Sequence, residues 1–130
     1  MLNMKLKFLG TGSCEGVPAM FCKCAGCVEA KKRGGKNIRT RSQAVIDNKL
    51  LIDFPSDAYM HALYGNVPLA DIHSVLLTHA HEDHLSVNDL LMRDTNKFCF
   101  DGEDGGLLTV YSSEASGEEI RRRLGSETSL

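Results

Sequence analysis

A chain of 130 residues with 42% hydrophobic and 25% charged residues is sized for one domain and can bury roughly two-thirds of its unfolded surface. This composition excludes a disordered chain, and a formal net charge of -2 gives no global attraction to nucleic acid or an anionic membrane. No apolar stretch approaches the ~20 residues of a membrane span. The opening MLNMKLKFLGTG lacks a signal peptide's apolar core, so no membrane association is expected and a cytoplasmic location is the default.

In chain order, Lys5 to Gly10 alternates polar and apolar residues and reads as a first strand. An irregular stretch follows, broken by Gly12, Gly16 and Pro18, in which Gly10-Thr11-Gly12 reads as a tight turn. Ala25 to Arg33 suits a short helix with basic residues in its last turn and Gly34-Gly35 as its stop. SQAVID and LLIDF flank Asn48-Lys49 as a hairpin does, with Asp47-Asn48 supplying the turn chemistry. A short helix then begins after Pro55 and ends on Gly65. Ile72 to Leu77 is a buried strand, and Ser86 with Asp89 three residues on starts a helix in near capping-box spacing. Leu107 to Ser112 is a further strand. Ser116 and Glu119 stand at cap spacing on a last amphipathic helix, and the tail 125–130 looks loose. The alternation in the second half predicts an α/β layer.

Two clusters carry chemistry. HAHEDH places His79, His81, Glu82, Asp83 and His84 within six positions after a buried strand. Strand alternation points His79 and His81 the same way, a ready pair of ligands for zinc or a similar divalent ion. Asp83 and His84 fall on the turn beyond and can face a second position. Two ions about 3.5–4 Å apart polarise a phosphoryl or acyl oxygen and deliver hydroxide at neutral pH. The pattern is not the zincin motif, which needs histidines four apart on a helix. In the second cluster Cys22, Cys24 and Cys27 supply three thiolates in six positions; with five cysteines and no secretion signal, this reads as a metal site rather than a disulfide framework. A closed site wants a fourth ligand, for which Cys14, Cys99, His61 and His73 are all open. Three reduced thiols or an iron–sulfur cluster are the alternatives.

THAHEDH resembles the H-x-H-x-D-H signature of the metallo-β-lactamase superfamily, and FLGTGSCEGVP and RTRSQAVI with LLIDF are similar to its first strand, loop and hairpin. GVPAMFCKCAGC is similar to the PhnP-like cyclic phosphodiesterase branch, which carries a C-x-C-x-x-C structural zinc site here. The resemblance runs from Lys5 to about Leu124, as the N-terminal part of a hydrolase domain over 1–124. It implies an αββα sandwich of which this chain supplies the N-terminal α/β layer. It implies two divalent ions, zinc or manganese, with His79 and His81 on the first and Asp83 and His84 on the second. One structural zinc would sit at Cys22, Cys24 and Cys27. Asp83 would orient the bridging hydroxide as the catalytic residue, and Asp53 would lie beneath the site and orient a ligating histidine. The reaction implied is cleavage of a small phosphodiester by a metal-bound hydroxide.

After His84 the sequence has no further histidine, and Asp89, Asp94, Asp101 and Asp104 stand too near it to be the superfamily's late bridging aspartate. The expectation is therefore half of a metal site on one bare sheet layer, an N-terminal fragment that self-associates as a homodimer through the exposed sheet face. A non-catalytic metal-binding fragment or interaction module is the competing expectation. A tRNA-processing nuclease is another, since KKRGGKNIRTR carries six basic residues that could steer RNA, and a lactamase or thioesterase is not excluded. His61 and His73 are expected to be satisfied, partly buried histidines.

Overall fold

The computed structural model describes residues 3–93 and 107–125. Cys99, Asp94, Asp101, Asp104 and all but the first residue of the expected loose tail lie outside the described residues. The elements are β1 (Leu6–Gly10), α1 (Ala25–Arg33), β2 (Gln43–Ile46), β3 (Leu50–Ile52), α2 (Ala58–Gly65), β4 (Ser74–Leu76), α3 (Val87–Leu90), β5 (Thr109–Tyr111) and α4 (Glu114–Leu124). Short 3-10 turns lie at Gly35–Asn37, Leu69–Asp71 and Leu91–Arg93. No helix among the described residues is long and apolar enough to cross a membrane.

Local chemistry accounts for most boundaries. Cys24 caps α1 by accepting from the Cys27 N–H, and Gly34 and Gly35, at φ 62° and 53°, end it. Asp47 and Asn48 both take positive φ, 51° and 55°, as the central residues of a turn closed by Lys49 N–H on the Ile46 carbonyl at 2.9 Å. α2 ends on Gly65 as expected, followed by a left-handed cap at Asn66. The last helix starts earlier than its sequence spacing indicates. Ser113 is the cap, accepting from Ser116 N, while Ser116 is buried in the first turn and Glu119 pairs with Arg122 and Arg123 instead. Nor does Ser86 cap α3 by the expected box: its hydroxyl donates to the Asp89 carboxylate at 2.7 Å.

The strands form one sheet in chain order, β1-β2-β3-β4-β5, antiparallel across the first three and parallel across β3-β4-β5. One face is closed. Val45, Leu51 and Val75 from adjacent strands are each 1% exposed, packed with Val67 and Ile72. Val110 joins Leu77, Leu85, Val87, Leu90 and Ile120, which brings α3 and α4 to the same side. Each such apolar side chain contributes about 1.5–3 kcal/mol. The other face is open: Phe8, Tyr111, Leu6 and Leu76 are 69%, 54%, 48% and 43% exposed. This matches the expected single α/β layer.

Gly10 and Gly12 serve close approach rather than a tight turn. A Cβ on Gly10 would lie 1.9 Å from the Arg41 carbonyl oxygen, and one on Gly12 2.7 Å from that of Arg39. The backbone of 39–41 therefore packs directly along the end of β1, with Gly12 N–H donating to Thr40 O at 2.6 Å.

Candidate metal centre

The site forms where β3 and β4 leave the sheet side by side. Leu77 N–H still donates to Tyr111 O, but the next amide, Thr78, donates to the Asp53 carboxylate at 2.8 Å. A side chain has replaced the ladder acceptor, which is why β4 ends earlier than the apolar run IHSVLL indicates. Asp53 reaches this position from a left-handed backbone, φ 63°, one that aspartate tolerates better than most residues. It is 2% exposed. Its carboxylate also accepts from the Thr78 hydroxyl at 2.8 and 2.9 Å and from His84 Nδ1 at 2.6 Å.

These bonds fix ring orientations. A carboxylate accepts, so His84 Nδ1 carries the proton and Nε2 is left as a donor atom, 3.5 Å from Asp83 Oδ2. With its own hydrogen given to Asp53, the Thr78 oxygen accepts from His79 Nδ1 at 3.1 Å, which frees His79 Nε2 in the same way. The turn is closed by His84 and Leu85 N–H groups on the His81 carbonyl, at 2.9 and 2.8 Å. Phe54 N–H donates to His84 O and Ser86 N–H to Phe54 O, tying the turn to the end of β3.

Ligand atoms of His79, Asp83 and His84 lie within 4.8 Å of one another, all three residues partly buried. This group draws one residue from the first pair implied by the family resemblance and two from the second. His81 stands outside it, exposed, its ring edge-on to His79 with centroids 4.7 Å apart; the His79 and His84 rings are 4.0 Å apart. Two nitrogens and a carboxylate with fixed tautomers form a donor set that fits a divalent ion keeping an open position. Sequence reasoning missed Thr78, whose signal was its place directly before the cluster. It also missed Arg123, which bonds Glu119 at 2.6 Å and reaches Glu82 at 3.8 Å, linking α4 to the histidine turn.

Beside the turn lies a cleft of about 440 Å³ bordered by Cys14, Arg41, Ser56, Glu82, Asn88 and Arg123. Arg41 is held there by Asp57 and by the Cys14 carbonyl. A larger apolar cavity of about 530 Å³, between Tyr59, Ile72 and Met92, contains none of the donor residues.

The sulfur atoms of Cys22, Cys24 and Cys27 also gather within 4.8 Å. The Cys27 N–H, followed by the neighbouring thiols, lowers the Cys24 pKa to about 7. Cys27 accepts from Ala19 N–H, which favours its thiolate, but Cys22, Cys24 and burial outweigh this and raise its pKa. Three thiols with one acidified by backbone donors fit a zinc ion. Of the fourth ligands left open, two are engaged elsewhere. His61 is buried, Nε2 on Thr40 and Nδ1 on Gln43, and burial lowers its pKa. His73 contacts the Leu107 carbonyl. Cys14 lies in the cleft, outside the three-cysteine group.

No protein-family model matches the chain. Among curated proteins, it is 33% identical over 123 residues to an octanoyltransferase from Porphyromonas gingivalis, covering 93% of this chain and 23% of that protein. Among solved structures, it is similar to a diphosphatase of the PhnP family, at 26% identity and a TM-score of 0.67, covering 93% of this chain and 45% of the other. Zinc-bound PqqB from Methylobacterium extorquens matches at 22% identity and 0.67, over 91% and 40%. The metallo-β-lactamase fold protein YhfI from Bacillus subtilis matches at 21% and 0.56, over 96% and 42%. The chain thus spans less than half of each of these proteins.

Proposed function

Because the chain has the metallo-β-lactamase fold, we propose that it serves a metal-dependent hydrolase acting on a small phosphodiester. The observation that carries the reading is the Asp53–Thr78 lock beneath His84 and His79, which orients two imidazoles whose nitrogens gather with the Asp83 carboxylate within 4.8 Å. His79, Asp83 and His84 would hold a divalent ion, zinc or manganese, with His81 beside them as a donor to a second. Such an ion, when bound, supplies Lewis acidity and makes water acidic enough to react near neutral pH. Asp53 keeps the proton of His84 on Nδ1, away from the donor side. Asp83 presents a carboxylate oxygen able to take a proton from the attacking water. Arg41 and Arg123 border the adjoining cleft with their guanidinium groups paired to Asp57 and Glu119. Cys22, Cys24 and Cys27 would hold a structural zinc that shapes the loop before α1.

The likeness to a diphosphatase supports a phosphoryl substrate. The octanoyltransferase name is not carried over, since the match takes in 23% of that protein. An RNA substrate has less support, because Arg33, Arg39 and Arg41 of the basic stretch bond Glu29, Thr11 and Asp57. The test is hydrolysis of bis(p-nitrophenyl) phosphate by the manganese- or zinc-loaded chain. Turnover that falls at least ~100-fold in Asp83→Asn supports the reading. Stoichiometric metal binding with no turnover on this diester, or turnover unchanged by Asp83→Asn, leaves a metal-binding module and sinks it. The exposure of His81, outside the three gathered donors, favours that second reading.

A further inference from the structure

Among the described residues the buried polar side chains are Gln43, Asp53, His61 and Ser116, and the first three are joined in one line. The Asp53 carbonyl can only accept, so the Gln43 amide turns its Nε2 toward it, at 3.0 Å. That leaves Gln43 Oε1 facing His61 Nδ1 at 2.6 Å, and Nδ1 therefore carries the ring proton. Burial disfavours a second proton on this ring, and its Nε2 accepts from the Thr40 hydroxyl at 2.7 Å. Every member has one role, and the donors run in one direction from Thr40 to the Asp53 carbonyl. Thr40 is itself anchored, its own carbonyl taking the Gly12 N–H.

The line ends at the residue that most needs support. Asp53 holds a left-handed backbone, and from it the carboxylate reaches Thr78 and His84. The pairing of β2 with β3 ends at Ala44 and Ile52. One residue further on, the Gln43 side chain takes over and secures the Asp53 carbonyl. An apolar pair could fill the same space with no hydrogen bonds to satisfy, so what a fully bonded polar line adds is a fixed geometry.

We propose that Gln43 and His61 are positioning residues of the histidine site, holding the Asp53 backbone so that its carboxylate fixes Thr78, His79 and His84. They act through Asp53 and not by contact with an ion. The proposal rests on the reading of that site as a metal centre.

The experiment compares Gln43→Met with Val45→Ala. Methionine matches glutamine in length and makes neither bond, whereas Val45→Ala opens a cavity at a buried position of the same strand outside the line. Nitrogen-15 spectra of the metal-free 130-residue chain at pH 8, above the usual histidine range, report which nitrogen of His84 carries the proton. The wild type should show the Nδ1–H form, and Gln43→Met a mixture with the Nε2–H form. Gln43→Met should also weaken binding of manganese, an ion that thiolates hold poorly, ~10-fold by titration calorimetry. Val45→Ala should lower the denaturant midpoint and leave both readings as in the wild type. His61→Phe removes only the proton donor to Gln43 and should move both readings the same way by less; it decides if Gln43→Met does not fold. An unchanged His84 ring or unchanged manganese affinity in Gln43→Met overturns the proposal, as do equal changes in Val45→Ala. A wild-type chain that binds no ion at its histidines sinks the metal reading alone, and the ring spectra then decide whether Gln43 and His61 position Asp53.

Discussion

The two donor clusters are built in opposite ways. Around HAHEDH, the supporting groups come from distant sequence: Asp53 lies 31 residues before His84 and holds it, and Thr78 connects both to His79. The sheet is therefore the scaffold of that site. Around Cys22, Cys24 and Cys27, every bond to sulfur is local, from Ala19, Cys24 and Cys27 N–H groups, and two of the three residues are exposed. One cluster is positioned by the fold before any ion arrives. The other would depend on a bound ion for rigidity.

The largest test of this contrast removes a donor. His84→Ala should cost the histidine site its ion altogether, read as one fewer metal per chain by elemental analysis, while the cysteine-held ion stays. Asp53→Asn comes next. Asparagine also tolerates the left-handed backbone at this position, so the fold persists, yet the lost charge should weaken metal binding about 10–100-fold by titration calorimetry. If affinity is unchanged, the histidine site does not rest on its distant support and the contrast fails.

Chelation should separate the clusters by hydrogen exchange. Amides of 19–28 should lose protection, while those of β3 and β4 keep theirs. Equal loss in both regions would make them one cooperative unit. The smallest effect concerns His61. Burial holds its pKa below the usual 6.5 in the folded state, so the unfolded chain binds the proton more readily. Its contribution is fully present above pH 6.5 and is lost as pH falls from there through the folded value. Denaturant midpoints followed from pH 8 to 5 should decline on the acid side, and less steeply in His61→Gln.

The element order and the hairpin turn were legible because they rest on local chemistry: Asp47-Asn48, Gly34-Gly35 and the alternation of KLKFLG. The failures have tertiary causes. Ser116 looked like a cap by its spacing to Glu119, but burying Ser116 and Ile120 on one face pulls the helix start back to Ser113. β4 looked longer because Leu77 is as apolar as a strand residue, and only the Asp53 carboxylate beneath Thr78 shows why the ladder stops. At the metal centre the donor residues stood in plain sight. Their grouping did not, because His79 and His81 leave the strand before alternation can align them. Gly10 and Gly12 read as turn residues, whereas what needs them is a second backbone far away in sequence.

The order of strands in the sheet is also the order of their synthesis. Each new strand meets an edge already formed by its predecessor, so the sheet can grow from one side while the ribosome is still at work. By the time HAHEDH emerges, Asp53 has been waiting at the end of β3. The histidine turn can then form against the end of β3, and β5 and α4 close around it afterwards.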